Sequence, residues 1–221
     1  MVNVMNLPLI LKPFTCKNLI RLGKDHDGGY LVNELDVKRT DHLIGFGIGT
    51  DISFENDFVK INECDVNLYD KNIDIPINNH YKVFRQNIIH DISLQDIFKD
   101  KHKVFLKCDI EGDEYLLCDF LINNSHLFTG LVVEFHDIHN YKNFDKLTNF
   151  IGKFSLPLVH THVNNHFYIK VDSKNIPSVV ELSFSSSDNL TYDANIKLPH
   201  KLDMRNKIDE IDFYVQFDGD M

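Results

Sequence analysis

Two apolar runs that end abruptly in acids constrain this chain more than any other feature. Val104-Phe-Leu-Lys-Cys-Asp-Ile-Glu-Gly-Asp-Glu-Tyr115 changes from aliphatic to carboxylate around Gly112, and Gly130-Leu-Val-Val-Glu-Phe-His-Asp137 ends the same way. Short apolar runs bounded by turn signals read as buried strands. In an open α/β sheet, ligands gather outside the carboxyl ends of the strands. Asp109, Glu111, Glu134 and His136 are therefore expected together at that edge, as coordinating or catalytic groups. The rival reading is that the acids merely cap the following helices. It does not require both strands to finish in acids.

Around these runs, strand and helix patterns alternate. His42 to Gly47 reads as a buried strand entering a glycine-rich turn, and the spacing of Ile52, Phe54, Phe58 and Ile61 predicts a helix over 51–61. Further strands are expected at Val66–Asp70 and Tyr81–Ile89, followed by a helix capped by Ser93. Helices are also expected over Glu114–Ile122 and Tyr141–Phe154. Leu156–His162 and His166–Val171 read as a turn-linked strand pair, and Val179–Phe184 as one more strand. Ile211–Val215 is a weaker strand candidate. Such alternation predicts a mostly parallel sheet with helices on both faces. With 221 residues, one domain is expected over 1–221. It divides into an N-terminal extension to about residue 40, a core over about 41–184 and a C-terminal segment 185–221 without a recognisable motif.

The formal net charge of -10, with no Lys/Arg block, argues against a nucleic-acid backbone or an anionic membrane as the main partner. Four cysteines lack zinc-site spacing, which fits reduced thiols in a cytoplasmic protein. No run approaches the roughly 20 apolar residues that cross a bilayer, so no stable membrane insertion is expected. Homo-oligomerisation is left open.

Gly45-Phe-Gly-Ile-Gly-Thr50 lies between a strand and a helix, where Gly45, Gly47 and Gly49 would let backbone approach a ligand. A dinucleotide site wants glycine at the sixth position, which is Thr50, and a helix start free of acids. Asp51 and Glu55 would repel a pyrophosphate there. A cationic adenosyl ligand such as S-adenosylmethionine avoids the conflict, with Asp70 placed to accept from a ribose diol. Upstream, Arg21 to Tyr30 reads as a hairpin turning at Asp27-Gly28-Gly29, with Tyr30 opening its second strand. It is also a candidate cover for the ligand's amino-acid end.

In combination these pieces resemble the FkbM-type family of S-adenosylmethionine-dependent O-methyltransferases, in its polysaccharide-modifying subset. Lys107-Cys-Asp-Ile-Glu-Gly-Asp-Glu-Tyr115 stands in the place of K-x-D-x-E-G-x-E, and His160-Thr-His-Val-Asn-Asn165 in that of H-x-H-x-N-N. Ile176–Phe184 is similar to the closing P-x-x-x-E-x-T-F strand with Ser183 for Thr, and Arg21–Tyr30 to R-x-G-x-x-x-D-G-G-Y. The resemblance implies the class I methyltransferase fold, a seven-stranded sheet whose last strand is antiparallel. It also implies methyl transfer to a sugar hydroxyl of a glycan, capsule or nucleotide-sugar precursor. Asp27 to Tyr30, the glycine turn, Asp70 and Asp109 would hold the cofactor. Glu111, His160, His162, Asn164 and Asn165 would face the acceptor.

A sugar hydroxyl is overwhelmingly protonated at neutral pH, so it must be activated. Mg²⁺ or Mn²⁺ held by Asp109 and Glu134, completed by His162 or Asp137, would lower its pKa. Catechol-type methyltransferases place acids at equivalent strand tips. Without a metal, His136 or His162 is the candidate general base. The competing functions are a nicotinamide-dependent oxidoreductase and a non-catalytic adenosyl-ligand-binding module.

Overall fold

The computed structural model describes residues 4–75, 81–171 and 174–218. An N-terminal hairpin pairs β1 (Leu19–Leu22) with β2 (Tyr30–Asn33), followed by α1 (Glu34–Lys38). The core then runs β3 (His42–Phe46), α2 (Ser53–Ile61), β4 (Asp65–Tyr69), β5 (Tyr81–Phe84), α3 (Leu94–Phe98), β6 (Val104–Cys108), α4 (Cys118–Asn123), β7 (Phe128–Phe135), α5 (Tyr141–Lys153), β8 (Leu158–Val163) and β9 (Val180–Ser185). The seven core strands form one sheet in the order β8-β9-β7-β6-β3-β4-β5. Only β9, the last of them along the chain, runs antiparallel to its neighbours β8 and β7. This is the sheet of the class I methyltransferase fold.

Period-two alternation along the strands feeds two cores. Ile44, Phe46, Leu106, Val133 and Leu182 pack with Phe98, Leu121, Leu147 and Phe150 of α3, α4 and α5 on one face. On the other face, Leu43, Leu68, Phe105 and Val132 pack with Val37 of α1, Phe54 and Phe58 of α2, and Leu22, Tyr30 and Val32 of the hairpin. Among the described residues no helix is long and apolar enough to cross a membrane.

Several elements differ from the sequence reading. β5 stops at Phe84 rather than continuing to Ile89. Ser93 stands at the start of α3, but its hydroxyl bonds the Gln95 side chain and not the helix backbone. Glu114–Leu116 is a 3-10 turn before α4. β8 does not pair with the following strand: Tyr168–Val171 forms its own hairpin with Lys174–Pro177, while β9 takes the place beside β8. A strand lies at Tyr214–Asp218, parallel to Val4–Pro8, and this small sheet buries Met5 and Leu7.

Candidate active site

The carboxyl ends of β3, β6 and β7 converge as the apolar runs require. Tyr30, from the hairpin, points its hydroxyl between the two strand-tip acids, 3.3 Å from Asp109 Oδ2 and 3.3 Å from Glu134 Oε2. A phenol has one proton to donate, so the two carboxyl groups share it. Burial raises the pKa of Asp109, against the opposing charges of Lys107 and His136. Burial, then Asp109 and Glu181, lift Glu134 well above the ordinary carboxylate range. Glu134 is thus held toward its protonated form, and Asn164 donates to its Oε1 at 3.1 Å.

Asp109, Glu111 and His136 offer three ligand atoms within 4.8 Å of one another. His136 Nε2 lies 3.5 Å from Glu111, 3.9 Å from Glu134 and 4.0 Å from Asp109. Burial alone would lower its pKa, but the hydrogen bond and charge of Glu114, with Glu134 and Asp109, hold it at about 9. Glu114 is the support the sequence reading missed. It is buried, and its carboxylate accepts from Gly112 N at 2.8 Å and His136 N at 2.5 Å, tying the two acid-tipped loops together. Its signal was present in the E-G-x-E spacing. Glu111 extends into solvent at φ 55°.

On the glycine-turn side, Gly47, Asp70, Asn87, Asp109 and Glu111 line a cleft of about 170 Å³. Larger cavities of 990 and 570 Å³ open among residues such as Asp41, Asp65 and Phe128, at the opposite ends of the strands. Gly47 has φ 72°, and a Cβ there would fall 1.5 Å from the Asp109 carbonyl oxygen. Asp70 accepts from Ile48 N and Gly49 N, both at 2.9 Å, and from Asn72 N at 2.6 Å. A carboxylate has about four acceptor sites, so one is left for a ligand.

Three expectations are corrected here. Gly45 is buried in β3, where Ile48, Leu68 and Glu55 fill the space a side chain would need, so it serves packing rather than ligand approach. Glu55 does not face the helix start. It is fully buried beneath the glycine turn, both oxygens without a hydrogen-bond partner, and burial raises its pKa against the charge of Lys107. At the helix start itself, Asp51 pairs with Lys24 at 3.2 Å, so the repulsion expected there is weak. In the hairpin loop, Gly28 abuts Asp51 and Lys24, and Gly29 packs on the Lys24 carbonyl and Arg21. This places Gly28 beside Asp51 at the start of α2, while Asp27 accepts from Asn206 of the C-terminal segment.

The third correction concerns His162. It was expected beside Asp109 and Glu134 as a metal ligand, but in the sheet Glu181 of β9 stands between it and Glu134. His162 Nδ1 pairs with Glu181 Oε2 at 3.1 Å, and both are buried. His160, also buried, has its Nε2 2.9 Å from Asp203. Asn165 receives Lys207 N at 2.7 Å and donates to the carbonyls of Lys207 and Glu210. His162, Asn164 and Asn165 are thus buried and hydrogen-bonded within the protein, His160 is buried beside Asp203, and the Nε2 atoms of His160 and His162 have no hydrogen-bond partner among the described residues. The C-terminal segment covers them. Asp137, the alternative third ligand, interacts with Ser178 at 3.4 Å.

The buried His162–Glu181 pair gives a pH prediction. Burial would lower the His162 pKa, but Glu181 raises it from 6.5 to about 9. The pair's stabilisation is complete below about pH 6.5 and lost as pH rises through about 9. Asp203, raised from 3.8 to about 7 chiefly by burial, acts in the same sense, since the folded state holds the proton more tightly. Unfolding free energy from urea titration should be lower near pH 9.5 than near pH 6 by on the order of 3 kcal/mol. Equal stability at the two pH values would reject an imidazolium at position 162.

No family profile and no curated protein sequence matches the chain. Solved structures do align. A candidate hemolysin from Streptococcus thermophilus has a TM-score of 0.43 at 12% identity, covering 72% of this chain and 64% of that one. The METTL16 methyltransferase domain has a TM-score of 0.40 at 11% identity, covering 67% and 75%. A dimethyladenosine transferase from Plasmodium falciparum has a TM-score of 0.41 at 17% identity, covering 69% and 60%. The chain spans less than two thirds of the first and third of these proteins. Likenesses this distant carry no functional argument. The strand order and the site stand on their own.

Proposed function

We propose that this chain is an S-adenosylmethionine-dependent O-methyltransferase that methylates a sugar hydroxyl of a glycan, capsule or nucleotide-sugar precursor, with divalent-metal assistance. The observation that carries the reading is the Asp109–Glu134 pair meeting under Tyr30 beside a cleft lined by Gly47 and Asp70. The cofactor, when bound, supplies an electrophilic methyl group needing an in-line nucleophile, so the protein's part is mainly positioning. Asp70 would hold a ribose hydroxyl. At about 170 Å³ the cleft is below the roughly 300–1,000 Å³ of most small-molecule pockets, so a whole cofactor would extend along the open sheet edge past Asp109.

For the metal, the donor atoms that cluster are those of Asp109, Glu111 and His136 rather than the set with Glu134 and His162. Two carboxylates and one imidazole, open toward solvent on the Glu111 side, suit Mg²⁺ or Mn²⁺ better than Zn²⁺. Such an ion would lower the pKa of an acceptor hydroxyl and take over the counter-charge that His136 provides to the acids. Glu134, held toward its neutral form by burial and neighbouring acids, has the elevated basicity that a proton acceptor needs once ionised.

Thermal melting with S-adenosylhomocysteine tests the cofactor assignment. At 100 times its dissociation constant, stabilisation of about 2.7 kcal/mol is expected. Stabilisation by NAD alone would replace this reading with the oxidoreductase one. Calorimetry with Mn²⁺ tests the metal: Glu111→Gln is expected to weaken binding at least tenfold. No heat with the unaltered protein would return hydroxyl activation to Glu134 or His136 alone.

A further inference from the structure

The segment over residues 200–213 carries no sequence motif, yet one of its side chains reaches into the support of the acid pair. Asn206 is buried, 6% exposed, between the hairpin loop and the sheet. Its amide nitrogen donates to Asp27 Oδ1 at 3.2 Å and to Glu181 Oε1 at 2.6 Å. We propose that Asn206 is a positioning residue for the Asp109–Glu134 pair, acting through the loop that ends in Tyr30, so that residues 200–213 complete the candidate site.

The carboxyl groups themselves set the problem. Glu134 and Glu181 are direct cross-strand neighbours, and like charges placed so close repel. The Tyr30 hydroxyl must nevertheless sit between Asp109 and Glu134. Asn206 answers both demands with one neutral group. It supplies a donor to Glu181 without adding charge, and its other donor cross-links that strand to Asp27, three residues before Tyr30.

The loop from Gly23 to Gly29 carries no apolar side chain to anchor it. On one side it is tied to α2 and the turn before it, through Lys24–Asp51 at 3.2 Å, Gly23 N to Asp57 at 3.1 Å and Lys24 N to Ser53 at 2.9 Å. On the other side the ties come from the C-terminal segment: Asn206 to Asp27, and His26 Nδ1 to the Arg205 carbonyl at 3.0 Å. Tyr30 follows directly from a loop clamped between the two. The segment is anchored in turn by Asn165 on the Lys207 and Glu210 backbone and by the approach of Asp203 to His160. Asn206 is therefore held on a fixed backbone.

The inference relies on the methyltransferase reading for what the acid pair does, and not for how the pair is held. The test follows the ¹³Cζ resonance of Tyr30, assigned by its loss in Tyr30→Phe, in tyrosine-labelled full-length protein. Asn206→Leu removes both donors while keeping the same branching at Cγ and is expected to move that resonance. Leu147→Ala, a destabilising change in the distant α5 core, is expected to leave it in place. Should Asn206→Leu not fold, Asn206→Gln is read in its stead, since displacing the amide by one methylene must also shift Tyr30. An unmoved Tyr30 signal in the folded variant overturns the proposal. Binding of S-adenosylhomocysteine to the unaltered protein is measured alongside. Its absence would overturn the methyltransferase reading, while a moved Tyr30 signal would still support the positioning role.

Discussion

Gly47→Ala is expected to destabilise the protein by at least about 3 kcal/mol, which corresponds to roughly 6–12 °C in melting temperature for a domain of this size. Two independent costs add. An alanine at φ 72° occupies the left-handed region, at about 1–2 kcal/mol. Its methyl group would also lie 1.5 Å from the Asp109 carbonyl oxygen, so the tips of β3 and β6 must part. That separation breaks the Asp109 N to Phe46 O hydrogen bond of 3.1 Å and strains the bond from Lys107 Nζ to the Gly47 carbonyl at 2.7 Å. S-adenosylhomocysteine affinity should fall together with stability, because Gly47 and Asp109 line the same cleft. A variant that melts within a degree of the unaltered protein would show that the turn relaxes freely and that the approach is not a constraint.

Asp109→Asn is expected to behave differently: intact folding and loss of methyl transfer by about 100-fold or more, the scale of removing one well-placed electrostatic group. Burial already penalises the Asp109 carboxylate, so a neutral amide of the same shape should cost little stability. It removes the charge that a metal ion or a developing positive centre would need, and it leaves the glycine turn and Asp70 untouched. Transfer of labelled methyl to a panel of nucleotide sugars and glycans is the assay. Undiminished transfer by Asp109→Asn would take Asp109 out of the chemistry. Loss of both folding and transfer would mark it as structural.

The acid-tipped strands were legible because the signal is local. An apolar run must be buried, a strand must end, and acids placed at that end emerge at the sheet edge whatever lies beside them. The same holds for the glycine turn, where Asp70 N–H acceptance and the Gly47 conformation follow from residues close in sequence or on adjacent strands. Four points lay outside the reach of pattern. His162 was grouped with Glu134 because both stand near strand ends, but the insertion of β9 between β8 and β7 puts Glu181 in the way. Glu55 has a polar side chain near a helix start, which suggests a solvated acid, yet helix periodicity turns it onto the buried face beneath Gly45. Asn165 and His160 meet the C-terminal segment, whose path over the sheet edge is not written in their own motif. Glu114 was in view within its motif, and only the second acid-tipped loop, 22 residues on, revealed what it holds.

By itself the sequence determined the α/β class, the single mostly parallel sheet, the convergence of Asp109 and Glu134 on its carboxyl edge, and the glycine turn with Asp70 beside it. Each of these depends on periodicity and on where an apolar run stops, which neighbouring residues encode. The tertiary structure alone decided which polar side chains touch one another: Tyr30 between the two acids, His136 with Glu111 in place of His162, and Asn206 between Asp27 and Glu181. Those contacts join residues up to 179 positions apart. They depend on strand order and on the path of the last segment, and no local pattern carries either.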